Sequence, residues 1–412
     1  MSFIKTPVKG MNDFLPQDML LREYVISQIR QTYSDFGFMQ IETPLVEHIE
    51  NLQSNQGGEN EKLIFKILKR GEKLNLDSAE SEADLVDSGL RYDLTLPLAR
   101  YYSNNAENLL TPFKALQIGS VFRADRPQRG RFRQFTQCDI DILGDDSMLA
   151  ETELVSATST LLLKLGFKNF RIRVNDRRIL KAMAEFCEFD EEKLPSVFIA
   201  LDKLDKIGSD GVKEELLRLG FKEEKIEKYL SLFLNRKNKS CSELCSDFSD
   251  VLDASVPAAI DDLIKNVFAC TGGGFDMVFD PTLVRGMGYY TGTIFEIEMS
   301  GLNCSVAGGG RYDEMIGKFG ANKTPACGFS IGFERIITIL KESGFKVPDS
   351  KSKTAFLIDK KADRQAVLNA FKEASRLRGE GCCVMIAKRN KNTKRQKGLL
   401  ADYGYSEIKE IF

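Results

Sequence analysis

The sequence holds a single histidine, His48, among its 412 residues. A Ser-His-Asp or Cys-His nucleophilic centre takes its base from an imidazole. His48 sits in an EHIE run after an expected strand, where a solvated surface histidine fits. The chain opens on MSFIKTPVKG, without the apolar stretch of a secretory signal. Its longest apolar runs, such as Ile336 to Leu340, fall far short of a bilayer span. A cytoplasmic protein with no membrane contact is expected. The nine cysteines are scattered, and Cys241/Cys245 and Cys382/Cys383 have no second ligand pair at zinc spacing. They are expected as free thiols, with no zinc and no tightly bound cofactor. No P-loop pattern occurs, and the formal net charge is only −2. Any chemistry must rest on arginines, carboxylates, tyrosines and backbone amides.

What is present divides the chain. Leu21, Val25, Ile29 and Tyr33 recur every four residues, predicting a helix from 16 to 37 that Gly37 ends. FMQIETPLVE reads as one strand interrupted by Pro44, suited to an edge or an interface. LIFKIL reads as another strand. KALQIGSVF and TQCDIDILG are strand-like and flank a loop broken by Pro127 and Gly130, which makes a long hairpin. Residues 183–265 turn rich in Lys, Glu and Leu at helical spacing, a helical insertion. Strand character returns over 266–345. KVPDSKSK (346–353) is a linker, and 354–412 reads as a small β-α-β-α module. Residues 353–412 carry 14 Lys and Arg against 7 Asp and Glu, a net of +7 that leaves −9 on the rest. The expected fold class is α+β, an antiparallel sheet flanked by helices, with residues 1–182 and 266–345 forming the core around the insertion.

FRADRPQRGRFRQF (122–135) packs Arg123, Arg126, Arg129, Arg131 and Arg133 into eleven positions. A guanidinium holds phosphate in a planar fork and stays charged. Odd-numbered Arg123, Arg131 and Arg133 share a face where the strands are regular. The same cluster fits a solvated hairpin. Gln134, Gln137, Asp139 and Asp141 follow, however, and arginines running into amides and carboxylates suit a ligand with an anionic and a cationic end. Asp93 and Thr95, around Leu94, fit an ammonium-binding pair or a helix N-cap equally. In VRGMGYYTGTIFE, Arg285 precedes glycines and Tyr289-Tyr290, which fits a close ligand approach or a turn with core tyrosines. AGGGRYDEM admits a nucleoside edge or a plain turn. Arg335, in GFSIGFERI, opens a helix after a strand and fits phosphate binding or an exposed helix face.

Together and in this order these stretches resemble the class II aminoacyl-tRNA synthetases and, within them, the histidyl-tRNA synthetase family. GFMQIETPLVE is similar to the first motif, FRADRPQRGRFRQFTQCDIDILG to the second and GFSIGFERI to the third. LVRGMGYYTGTIFE resembles the stretch peculiar to the histidine-specific members. The resemblance implies the class II antiparallel sheet and a histidine–tRNA ligase, with Pro44 at a homodimer interface. It implies that Asp93, Thr95 and Gln137 hold the α-amino group of L-histidine, with Leu94 also in the histidine-binding set. Asp141 and Tyr290 would read the imidazole, with Tyr289 lining the pocket. Arg123 and Arg285 would grip the α-phosphate of ATP, and Arg131 and Arg335 the outer phosphates. Magnesium is implied with ATP, and tRNA(His) as acceptor. The family's C-terminal anticodon-reading domain is implied in shortened form, with KRNKNTKRQK (388–397) reading either as a contact to tRNA phosphates or as solvated charge. Two alternatives share the resemblance: a non-catalytic, histidine-sensing regulatory subunit of ATP phosphoribosyltransferase, and a paralogue that forms the adenylate for another acceptor.

Overall fold

The four-residue apolar spacing at the N-terminus is expressed as the helix Pro16–Asp35, in which Val25, Ile29 and Tyr33 are fully buried. Gly37 follows it with φ 81°, a left-handed conformation that favours glycine. The computed structural model describes residues 3–54, 60–127, 131–234, 239–284, 290–299, 305–320, 323–348 and 351–412. The chain folds as two compact units: Met1–Asp13 with Val25–Glu342, and Phe14–Tyr24 with Ser343–Phe412.

The first unit is built on an eight-stranded sheet. Its strands lie in the spatial order Met39–Ile41, Phe113–Phe122, Gln134–Leu143, Ala326–Ile331, Ser305–Arg311, Thr293–Met299, Phe170–Asp176 and Asp276–Phe279. Only the outermost pair at each end is parallel; every pairing between is antiparallel. The helix Leu149–Lys164 covers one face, and Leu154, Val155, Ala157, Leu161 and Leu162 are wholly shielded from solvent. Ser255–Thr271 packs beside it and ends at left-handed Gly272. Between these helices run Arg177–Phe186, Leu194–Leu201, Leu204–Arg218 and Glu223–Leu234. This helical segment has an aromatic centre of its own, with Phe189 4.5 Å from Phe221 and 5.0 Å from Tyr229 between ring centroids.

Two expectations are corrected. FMQIETPLVE is not one strand. Met39–Ile41 joins the large sheet, whereas Val46–His48 pairs with Val86–Leu90 in a separate three-stranded sheet. Pro44, which donates no N–H, lies at the crossing. LIFKIL gives a 3₁₀ turn, Asn60–Leu63, and a short strand, Lys66–Leu68.

In the second unit Cys383–Lys388, Lys353–Ile358 and Glu407–Ile411 form a parallel sheet in that order. The helices Arg364–Gly379 and Thr393–Asp402 connect them. The side chains of Asp363 and Asn392 cap these helices by accepting from the Ala366 and Arg395 amides at 2.7 and 3.0 Å. The final strand is an element that the β-α-β-α reading lacked. Within the basic run, Arg389 pairs with Asp359 and Glu410, and Lys397 with Glu410. Lys388, Lys391, Lys394 and Arg395 are exposed. Among the described residues no helix is long and apolar enough to cross a membrane.

Candidate active site

A cavity of about 610 Å³ opens over the middle of the large sheet. Its floor follows from strand alternation: Gln137, Asp139 and Asp141 are two apart on one strand and face one side. The intervening Cys138, Ile140 and Ile142 are buried in the packed core. Register places Asp139 opposite Ser330 and Asp141 opposite Gly328 on the neighbouring strand. Space explains Gly328: a Cβ there would stand 2.0 Å from an Asp141 carboxylate oxygen.

The acidic end is built from distant segments. Tyr312 donates its hydroxyl to Asp141 Oδ1 at 2.5 Å, and Asp141 Oδ2 is buried without a hydrogen-bond partner among the described residues. Ser330 Oγ donates to Asp139 Oδ1 at 2.5 Å. Gln137 Nε2 donates to Asp139 Oδ2 at 3.0 Å and to Ser330 Oγ at 3.3 Å. Burial pushes the Asp139 carboxyl up to about 7, with the charge of Asp93 adding to it and the Ser330 bond opposing it. Burial also holds Asp141 well above the carboxylate range; the charge of Asp139 adds to this and the Tyr312 bond opposes it. Three acidic side chains, Asp93, Asp139 and Asp141, thus line one cavity.

The basic end lies across the same space. The Arg123 guanidinium sits 4.2 Å from the Tyr92 ring centroid and 5.3 Å from that of Phe135, a cation–π sandwich that holds it in place. Its Nε donates to the Tyr92 carbonyl at 3.1 Å, and Nη2 reaches Gln137 Oε1 at 3.5 Å. Arg131 lies on the returning arm of the hairpin, more than half exposed, 3.9 Å from Asp125. Arg335 stands at the start of the helix Phe333–Glu342 and donates to the Ser305 carbonyl.

Of the residues singled out in the sequence, Asp93, Thr95, Gln137, Asp141 and Tyr290 line this cavity, as do Arg123, Arg131 and Arg335. Asp93 lines the cavity and also serves the helix start, its Oδ1 accepting from the Leu96 amide at 3.1 Å in the first turn of Thr95–Asn105. Leu94 stands apart: its side chain is buried, and its carbonyl accepts from Gln117 Nε2 at 3.0 Å. Arg133 does not line the cavity either; its Nε donates to the Asp125 carbonyl. Strand regularity ends near Arg123, so the shared parity of 123, 131 and 133 does not give a shared face. Arg126 is exposed, and Arg129, Arg285 and Tyr289 lie outside the described residues. The glycine triplet is not a turn but strand, within Ser305–Arg311. There a Cβ on Gly309 would come 2.0 Å from the Gly328 carbonyl.

Sequence reasoning set Asp139 only in the polar run after the arginines, and it gave no role to Ser330 or Tyr312. Period two already pointed to Asp139, midway between Gln137 and Asp141. Tyr312 carried no local signal, since its contact spans 171 residues.

The ends of the segment 281–293 are held by one strand terminus. Asn175 Nδ2 donates to the carbonyls of Pro281 and Leu283 at 3.2 and 3.0 Å. The Arg177 amide donates to the Gly292 carbonyl at 3.0 Å, and Thr293 Oγ1 to Asp176 Oδ2 at 3.4 Å.

Comparison with known proteins agrees with this geometry. The family profile described as histidyl-tRNA synthetase matches residues 10–336. A histidine–tRNA ligase of Leifsonia xyli subsp. xyli is 46% identical over 84% of this chain and 82% of its own. A probable histidine–tRNA ligase of Tropheryma whipplei is 42% identical over 88% and 86%. The crystal structure of histidyl-tRNA synthetase from Nostoc superposes with a TM-score of 0.80 at 26% identity, covering 98% of this chain and 90% of that one. With three arginines and three carboxylates gathered over a class II sheet, and with these relatives, the chain belongs to the histidyl-tRNA synthetase family.

Proposed function

We propose that this chain is a histidine–tRNA ligase, which activates L-histidine with ATP and transfers it to the 3′ end of tRNA(His). The observation that carries this reading is the convergence of cation-binding and phosphate-binding groups on one cavity of about 610 Å³. Asp93, Thr95 and the oxygen of Gln137 receive the α-ammonium group. Asp141, braced by Tyr312, accepts from the imidazole, with Tyr290 beside it and Tyr289 completing the pocket. A histidine carboxylate oxygen attacks the α-phosphorus, the bond from that phosphorus to the bridging oxygen breaks, and pyrophosphate leaves. Arg123 and Arg285 offset the charge on the α-phosphate, and Arg131 and Arg335 hold the outer phosphates. The attacking carboxylate needs no base, so alignment and charge neutralisation suffice. In the second step the terminal ribose hydroxyl of tRNA attacks the histidyl carbonyl and AMP departs.

ATP enters as its magnesium complex, the ion being held chiefly by phosphate oxygens and water. Met39, Leu45 and Val46, near Pro44 in the sequence, are exposed apolar residues, which supports pairing with a second copy. Exposed Lys388, Lys391, Lys394 and Arg395 support contact with tRNA phosphates.

Exchange of labelled pyrophosphate into ATP tests the first step. Exchange should appear with histidine and not with the other amino acids, and Arg123→Ala should reduce it by about a hundredfold or more. Absence of histidine-dependent exchange overturns the proposal. Exchange without charging of tRNA(His) overturns the acceptor.

A further inference from the structure

A glutamine amide presents an oxygen or an NH₂ to a ligand according to which way its plane is turned, and the two orientations have nearly the same shape. An α-ammonium group donates only, so the wrong orientation would repel it. We propose that Asp139 is a positioning residue that turns the Gln137 amide, so that the cavity offers an oxygen acceptor to the substrate's α-ammonium group. This rests on the histidine-activating reading above and deepens it.

The neighbours of Gln137 determine the orientation between them. Asp139 is 3% exposed, and as a carboxylate it only accepts, so it must face the NH₂ edge; Nε2 is 3.0 and 3.3 Å from its two oxygens. Ser330 gives its proton to Asp139 at 2.5 Å, which leaves its lone pairs to receive Gln137 Nε2 at 3.3 Å. Arg123, a pure donor, faces the oxygen edge at 3.5 Å. Asp139 and Ser330 are direct cross-strand partners, so the sheet fixes both acceptors of the NH₂ edge. Asp139 lines the cavity beneath Gln137, and the inference is that it acts through that amide.

Protonation of Asp139 weakens this lock. The charged and titratable groups that bear on it are Asp93, Asp141 and Arg123 on the cavity side, and Tyr33 and Arg91 behind. The negative neighbours favour the proton and the two arginines oppose it. Affinity for the ammonium group is therefore expected to weaken as pH falls below about 7.

The test is Asp139→Asn, whose side chain offers both donor and acceptor and so permits either amide orientation. Histidine-dependent pyrophosphate exchange is measured between about pH 6 and pH 8.5. The variant should raise KM for histidine about tenfold, the worth of one hydrogen bond to a charged group. KM for ATP should be unchanged, and the acid-side weakening of histidine affinity should flatten. Histidinol keeps the ammonium and lacks the carboxylate, whereas imidazolepropionate lacks the ammonium. As inhibitors, histidinol should weaken in the variant and imidazolepropionate should not. Equal effects on both inhibitors, or an unaltered KM for histidine, would overturn the inference. If Asp139→Asn does not fold, Ser330→Ala carries the test, with the same pattern expected at smaller size. Wild-type protein without histidine-dependent exchange would instead remove the parent reading.

Discussion

Raising the pH from about 5 to about 8 should cost the ligand-free protein stability, and Asp139→Asn should remove much of that cost. The sign follows from burial. Asp139 titrates at about 7 in the folded chain against an ordinary 3.8. Between those values the folded chain binds more protons than the unfolded chain, so stability falls as pH rises. The favourable contribution is complete below the unfolded value and is lost as the pH rises through about 7. That difference corresponds to at most about 4 kcal/mol. Asp141 acts in the same sense, being raised by the same burial. Exposed acids such as Asp84 and Glu188 are lowered by their partners and stay ionised across this window, so they do not oppose it. Urea unfolding at several pH values, on wild type and variant in parallel, measures the effect. Wild-type stability that is flat or rises between about pH 5 and 7 would refute the reasoning, as would identical slopes for the two proteins.

Two further outcomes test the frame around the cavity. Glu151→Ala should destabilise by about 3–5 kcal/mol, read as a drop in thermal midpoint. Arg311, which donates to both Glu151 carboxylate oxygens at 2.7 Å, would be left buried without its main counter-charge. Gly328→Ala should displace the Asp141 carboxylate, which a Cβ would approach to 2.0 Å. Calorimetry should then show histidine affinity weakened by about tenfold or more, with about 1–3 kcal/mol of overpacking cost.

The sequence exposed most of what lies along single segments. The hairpin 113–143, with Gln137 and Asp141 on one face, could be read because period two is a local property. The long helices could be read for the same reason. What escaped were features set by pairing between distant segments. Tyr312 reaches Asp141 only because the strands Ser305–Arg311 and Ala326–Ile331 bring it there. The glycine triplet looked like a turn, yet it marks a place where backbones and a phenylalanine crowd the sheet, with Phe295 2.8 Å from a Cβ placed on Gly309. Arg133 shared the parity of Arg123 and still turned away, because alternation holds only while the ladder is regular. Leu94 stands between two polar candidates, yet its apolar side chain is buried in the core.

The strand terminus Asn175–Asp176 has a mechanical consequence. It grips both flanks of the 281–293 segment and runs without a break into the helix Arg177–Phe186, the first of the inserted helices. Asp176 also caps that helix through the Arg178 amide. One two-residue stretch thus ties the start of the inserted helices to both described flanks of 281–293, and Tyr290 on the second flank lines the cavity.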